Sequence, residues 1–174
     1  MYHMNKKQEA NAFVKECITQ AMYEMIQKQP FENITITDLT KRAGVGRVSF
    51  YRNFDSKEDV VRQMIMQIID EISEGIGGNT DFNTMENLLT EYRKRQDVFV
   101  VLHSAGLGYI TMSCLSQAYG PKPQQTNQEA YTNAFLFHGI YGMIEEWFRR
   151  GTKEDPLELV QVLLGIKDAD LSDL

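Results

Sequence analysis

Thr35-Ile36-Thr37-Asp38-Leu39-Thr40-Lys41-Arg42-Ala43-Gly44-Val45-Gly46-Arg47-Val48-Ser49-Phe50-Tyr51-Arg52-Asn53-Phe54 holds two short helical patterns and the tight turn between them. Thr35 to Asp38 has the spacing of a capping box: a hydroxyl to accept an early backbone N–H, and a carboxylate three residues on to reach back to the cap. The spacing predicts a helix over Ile36 to Ala43, stopped at Gly44, which supplies a left-handed residue without a Cβ penalty. After the turn at Val45 and Gly46 a second short helix is predicted over Arg47 to Phe54, with Phe50 and Phe54 four apart and turned inward. That leaves Arg47, Val48, Ser49, Tyr51 and Arg52 on or near the outward side. Two short helices so joined have the geometry of a helix-turn-helix, whose second helix enters the major groove of DNA. The outward residues suit that task. Arginine pairs bidentately with guanine, serine bonds base or phosphate, valine meets a thymine methyl and tyrosine reaches a phosphate oxygen.

Working outward, Phe13, Cys17, Ile18, Ala21, Met22, Met25 and Ile26 paint one face of a helix predicted over Gln8 to Gln29, which Pro30 ends. On the other side, Ser56 to Asp59 is a second capping box. It opens a long helix bearing Val60, Val61, Met64, Ile65, Ile68, Ile69 and Ile72. The cluster Gly75-Ile76-Gly77-Gly78-Asn79 breaks that helix, and a domain boundary is expected there. Helices are predicted over Phe82 to Gln96 and over Asp97 to Tyr119, the latter broken near Gly106 and Gly108. The loop Gly120 to Gln125 follows, then a helix over Gln128 to Arg150, apolar nearly all round between Ala134 and Phe148 and so covered on more than one side. A last helix opens at Asp155-Pro156 and ends near Ile166. With no useful period-2 segment and no internal repeat, the expected fold is all-α, with about nine helices. Residues 1–55 form an amino-terminal helix-turn-helix domain, 56–76 a linking helix and 77–174 a carboxyl-terminal helical domain.

Charge supports this division more than it supports a nucleic-acid partner. The net charge of the 174 residues is −6. Residues 1–62 carry ten Lys and Arg against eight Asp and Glu, whereas residues 63–174 carry eight against sixteen. The acidity belongs to the second part, and a balance of +2 in the first is a weak electrostatic signal. Cys17 and Cys114 have no Cys or His at metal-ligand spacing and read as small buried residues, so no disulfide, metal or cofactor is expected. Ala134 to Ile144 is too short to span a bilayer, and no targeting segment is visible, so a cytoplasmic protein is expected. There is no Gly-x-Ser-x-Gly elbow, phosphate-cradling loop or His-Glu-x-x-His pair, which argues against an enzyme.

The run from Phe31 to Asp59 resembles the signature of the TetR family of transcriptional regulators: the capping threonine, the Ala-Gly-Val turn, Phe-Tyr-x-x-Phe and Ser-Lys-Glu occur in register. The resemblance covers roughly residues 8–72. It implies that Thr37, Arg47, Ser49, Tyr51, Arg52 and Lys57 sit at DNA-contacting positions, with Tyr51 and Lys57 mainly on phosphates. Asn53 departs from the histidine often found there. The resemblance further implies a homodimer on a palindromic operator of double-stranded DNA, with half-sites about 34 Å apart. It assigns dimerisation to Gln128–Arg150 and Pro156–Ile166, where Phe135, Trp147, Leu159 and Leu163 are candidate contacts. The segment Phe137 to Gly151 more weakly resembles a subgroup that includes dihydroxyacetone-kinase regulators.

In the second domain Tyr92, His103, Tyr109, Cys114, His138 and Tyr141 stand as polar tips among apolar residues. They either line a cavity for a small-molecule effector or serve as core and interface side chains. The function expected is a ligand-responsive repressor. The alternative is a DNA-bound co-regulator whose second domain binds a protein partner.

Overall fold

The computed structural model describes residues 6–76 and 82–167, and no strand occurs among them. The helices are α1 (Lys6–Ile26), α2 (Ile36–Ala43), α3 (Arg47–Tyr51), α4 (Lys57–Ile76), α5 (Phe82–Lys94), α6 (Gln96–Ser104), α7 (Gly108–Tyr119), α8 (Asn127–Arg149) and α9 (Pro156–Lys167). A 3-10 turn, Phe31–Asn33, interrupts the loop expected after Pro30. Of the cluster Gly75 to Asn79 expected to break α4, Gly75 and Ile76 are still helical, and residues 77–79 lie outside the described residues.

Two compact units compose the chain: one runs to Ile68 and takes in Val101–Cys114, the other holds Ile69–Val100 and the chain from Leu115 onward. In the first, α1 packs on α2 and α3, and α2 on α3. Its core gathers Ile18, Met22, Ile34, Leu39, Phe50, Phe54, Val60 and Ile65, all 2% exposed or less. Burial of each such side chain stabilises by about 1.5–3 kcal/mol relative to exposure. Phe13 belongs to the predicted apolar face of α1 but is 65% exposed, so that stripe runs on past the core.

The turns close as the local chemistry requires. Thr35 Oγ1 accepts the Asp38 N–H at 3.1 Å, while the short Asp38 carboxylate accepts the Thr35 hydroxyl at 2.6 Å. Gly44 adopts φ 67°. Its N–H bonds Lys41 O and the next N–H, of Val45, bonds Thr40 O, the paired closure of a Schellman end. At α4, Asp59 N–H bonds Ser56 Oγ as the capping box requires, and the Asp59 carboxylate reaches one residue further back, to Asp55 N–H at 3.1 Å. Gly106, at φ 74°, separates α6 from α7 within the stretch Asp97 to Tyr119.

In the second unit α5 packs on α9. Leu89, Trp147, Leu159 and Val160 form the buried centre, with Met85, Met143, Ile144 and Phe148 against it. α8 opens on a full capping box, Thr126 with Glu129, and α9 on Asp155, whose carboxylate accepts Leu157 N–H. No helix among the described residues is long and apolar enough to cross a membrane.

Candidate DNA interface and helical cavity

The recognition segment is held from beneath. Phe50 and Phe54 are buried with ring centroids 5.7 Å apart, which turns the opposite side of α3 outward. Val48 is 66% and Tyr51 53% exposed, Arg47 and Arg52 are exposed, and Ser49 is half-buried. Thr37 is exposed at the start of α2, with Arg47 Nη1 at 3.5 Å from its hydroxyl. Of the seven residues expected at a DNA surface, these six stand on α3, at its end or at the start of α2, five of them exposed and Ser49 half-buried. The helix itself is shorter than predicted, ending at Tyr51 and not Phe54. Asn53 and Phe54 N–H groups both return to Phe50 O, and Asn53 Nδ2 bonds Ser49 O at 2.8 Å. Asn53 thus closes the end of α3, and its amide is held by backbone.

Lys57, the seventh, is placed differently. Its ammonium donates to Phe31 O at 2.8 Å and to Glu32 O and Ile34 O at 3.2 Å, and lies 4.5 Å from the Phe31 ring centroid. This lysine pins the first residue of α4 to the loop that enters α2. Arg42 likewise ties α2 to α1 through Glu24, its Nε 3.0 Å from the carboxylate, which holds the Glu24 carboxyl below the usual range. Asp59 also lies low. Burial opposes its ionisation, but the Asp55 N–H, the Gln63 amide and the Arg62 guanidinium together outweigh burial.

The second unit contains a cavity of about 300 Å³. Met85, Leu88 and Tyr92 reach it from α5, Tyr119 from the end of α7, and the stripe Asn133, Phe137, Ile140, Tyr141 and Ile144 from α8. Tyr92 is 4% exposed, and burial pushes its phenol up, with the neighbouring phenols of Tyr119 and Tyr141 adding to the effect. The Tyr141 phenol is also raised, by burial first and then by donating to Glu145 at 2.8 Å. Tyr119 shares a 2.7 Å hydrogen bond with Ser73.

Of the expected pocket residues, the structure brings together only Tyr92 and Tyr141. His103, Tyr109 and Cys114 belong to the first unit, and Tyr109 is 63% exposed. His138 is on the exposed side of α8, edge-on to Phe137 at 5.1 Å. Tyr119 and Asn133 line the cavity and lie outside the expected set. Asn133 was legible, since it stands four, seven and eight residues before Phe137, Ile140 and Tyr141 on one helical stripe. Tyr119 offered no such signal, because it faces the cavity only through the packing of its helix.

The dimer candidates divide too. Trp147 and Leu159 are 2% and 7% exposed within a single copy, packed with Leu89, so they serve this unit's own core. Leu163 is half-buried. Phe135 is 70% exposed, with Tyr131 at 72% one turn before it and Leu136 at 51% beside it.

A buried pair of phenylalanines under an outward basic and aromatic helix, joined to a second helical unit with its own cavity, defines a two-unit helix-turn-helix protein. Residues 18–64 match the profile described as bacterial regulatory proteins, tetR family. The uncharacterized HTH-type transcriptional regulator YvdT of Bacillus subtilis (strain 168) is 26% identical over 98 residues, which are 51% of this chain and 50% of that one. The chain thus spans about half the length of that relative. A solved TetR transcriptional regulator from Streptococcus agalactiae 2603V shares the fold at a TM-score of 0.65 and 19% identity, covering 92% of this chain and 96% of that one. The dihydroxyacetone kinase operon activator DhaS does so at 0.52 and 16%, covering 88% and 93%. Residues 18–64 are thus a helix-turn-helix segment of the tetR type, and the chain as a whole shares its fold with solved TetR regulators.

Proposed function

We propose that the protein is a ligand-responsive transcriptional regulator that acts in the cytoplasm and binds a palindromic operator as a homodimer. The observation that carries this reading is the outward side of α3, where Arg47, Val48, Tyr51 and Arg52 stand exposed over the buried Phe50 and Phe54. Arg47, Ser49 and Val48 read base edges, while Thr37, Tyr51 and Arg52 position the helix on phosphates. Lys57 acts as a brace within the domain and not on a phosphate, because three carbonyls already hold its ammonium.

Dimerisation draws on Tyr131, Phe135 and Leu136 of α8 together with Val162 and Leu164 of α9, apolar side chains that a single copy leaves exposed. The cavity favours a small-molecule effector over a protein partner for the second unit. The effector biases the dimer between a state that fits two successive major grooves and one that does not, so effector and operator oppose each other by equal coupling. Repression is the sign proposed.

Selection of bound duplexes from a random pool tests the reading. A palindrome with half-sites about one helical turn apart is expected. Enrichment of no sequence by the intact chain would overturn it.

A further inference from the structure

The cavity of the second unit is chemically lopsided. No lining residue carries a charge, most are aliphatic or aromatic, and its polar groups are three phenols and the Asn133 amide. The phenols are not equivalent. Tyr141 has its hydrogen engaged by Glu145, a residue that is not in the lining, and so offers the ligand only an oxygen lone pair. Tyr119 is occupied with Ser73. The Tyr92 hydroxyl, on a residue 4% exposed, has no hydrogen-bond partner among the described residues and retains both donor and acceptor. That hydroxyl opens onto the cavity, where a ligand oxygen can accept from it.

We propose, on the effector reading above, that this cavity binds an uncharged, mostly apolar molecule with one hydroxyl or carbonyl head, seated on Tyr92 and the neighbouring phenols of Tyr119 and Tyr141. The head accepts from Tyr92, and a hydroxyl head in addition donates to the free lone pair of Tyr141. The tail lies along Met85, Leu88, Ile140 and Ile144. A carboxylate or phosphate head would be stripped of water with no cation in the lining to receive it. An ammonium would find no carboxylate there either. A volume of about 300 Å³ is at the small end of ligand sites, which limits the tail to a short chain or a single ring.

The test uses the intact chain without DNA and three probes that share a tail: octan-1-ol, octanoate and octylammonium at pH 7. The chain's one tryptophan, Trp147, belongs to the core cluster against which the cavity-lining Met85 and Ile144 pack, so its fluorescence serves to report occupancy, with calorimetry as a second readout. Octan-1-ol should bind saturably and at least about tenfold more tightly than either charged probe, and Tyr92→Phe should weaken it by about three- to tenfold with an unchanged melting temperature. Three results would overturn the proposal: no saturable binding of octan-1-ol, a charged probe that binds as well as the alcohol, or wild-type alcohol affinity in the Tyr92→Phe, Tyr119→Phe double variant. The comparison of heads on the unaltered chain decides even if a variant misfolds. Because no duplex is present, failure here leaves the regulator reading standing. Saturable binding that leaves duplex affinity unchanged would uphold the cavity chemistry and count against its coupling to DNA.

Discussion

Lys57→Met should weaken the protein without changing how its DNA affinity depends on salt. The substitution keeps the apolar stem and removes an ammonium that holds Phe31 O, Glu32 O and Ile34 O at 2.8, 3.2 and 3.2 Å, beside the Phe31 ring at 4.5 Å. Hydrogen bonds from a charged donor contribute about 1.5–3 kcal/mol, and an exposed cation–π contact about 0.5–1 kcal/mol. One of the carbonyl contacts is exposed and the side chain only half-buried, so solvent screening reduces the whole network to about 2 kcal/mol. For a chain of this size that is a fall of about 4–8 °C in melting temperature, read by calorimetry. Duplex affinity should drop uniformly across sequences as the entry to α2 loosens. The slope of log affinity against log salt should stay the same, whereas loss of a phosphate contact would shift it by about 0.9. A slope reduced by about one, with an unmoved melting temperature, would refute the brace and return Lys57 to the phosphate role that the TetR resemblance implies.

Arg47→Ala should cost about 1–3 kcal/mol of affinity for the selected palindrome and relax preference at one position of each half-site, read by anisotropy, with little effect on melting since Arg47 is exposed. Gly44→Ala should destabilise by about 1–2 kcal/mol in denaturant titration. Nothing lies within 4 Å of an added Cβ, so that cost is purely the left-handed backbone at φ 67°, and Gly44→Asn should recover part of it. Asp59 has a lowered pKa in the fold, so its contribution is present above its unfolded pKa and is lost as pH falls through the folded value. The stability difference between wild type and Asp59→Asn should accordingly be constant from pH 5 to 7 and shrink below about pH 4 in pH-dependent unfolding. Phe135→Glu should shift sedimentation toward the monomer while leaving helix content intact, since that side chain is 70% exposed in a single copy.

Secondary structure was largely legible because its determinants are local. The Thr35 cap, the Gly44 stop and the Asp155-Pro156 start each act within four residues, and α2 falls on Ile36–Ala43 as predicted. Thr126 and Glu129, the capping box that opens α8, carry the same short-range signal. The end of α3 was overrun because inward phenylalanines at positions 50 and 54 satisfy helical spacing whether or not the backbone between them stays helical. Here Asn53 closes it first.

The sequence by itself determined a helical chain and a helix-turn-helix with its outward residues, since periodicity decides which side of a short helix faces a core. It did not determine which apolar residues of α8 and α9 a single copy covers. Trp147 and Leu159 are buried beside Leu89 while Phe135 is left exposed, and spacing treats all three alike. Nor did it determine the cavity, whose phenols come from positions 92, 119 and 141 and meet only when α5, α7 and α8 pack. The role of Lys57 has the same origin: its reach to Phe31 and Ile34 spans more than twenty residues, and only the fold sets which carbonyls stand within hydrogen-bond distance of its ammonium.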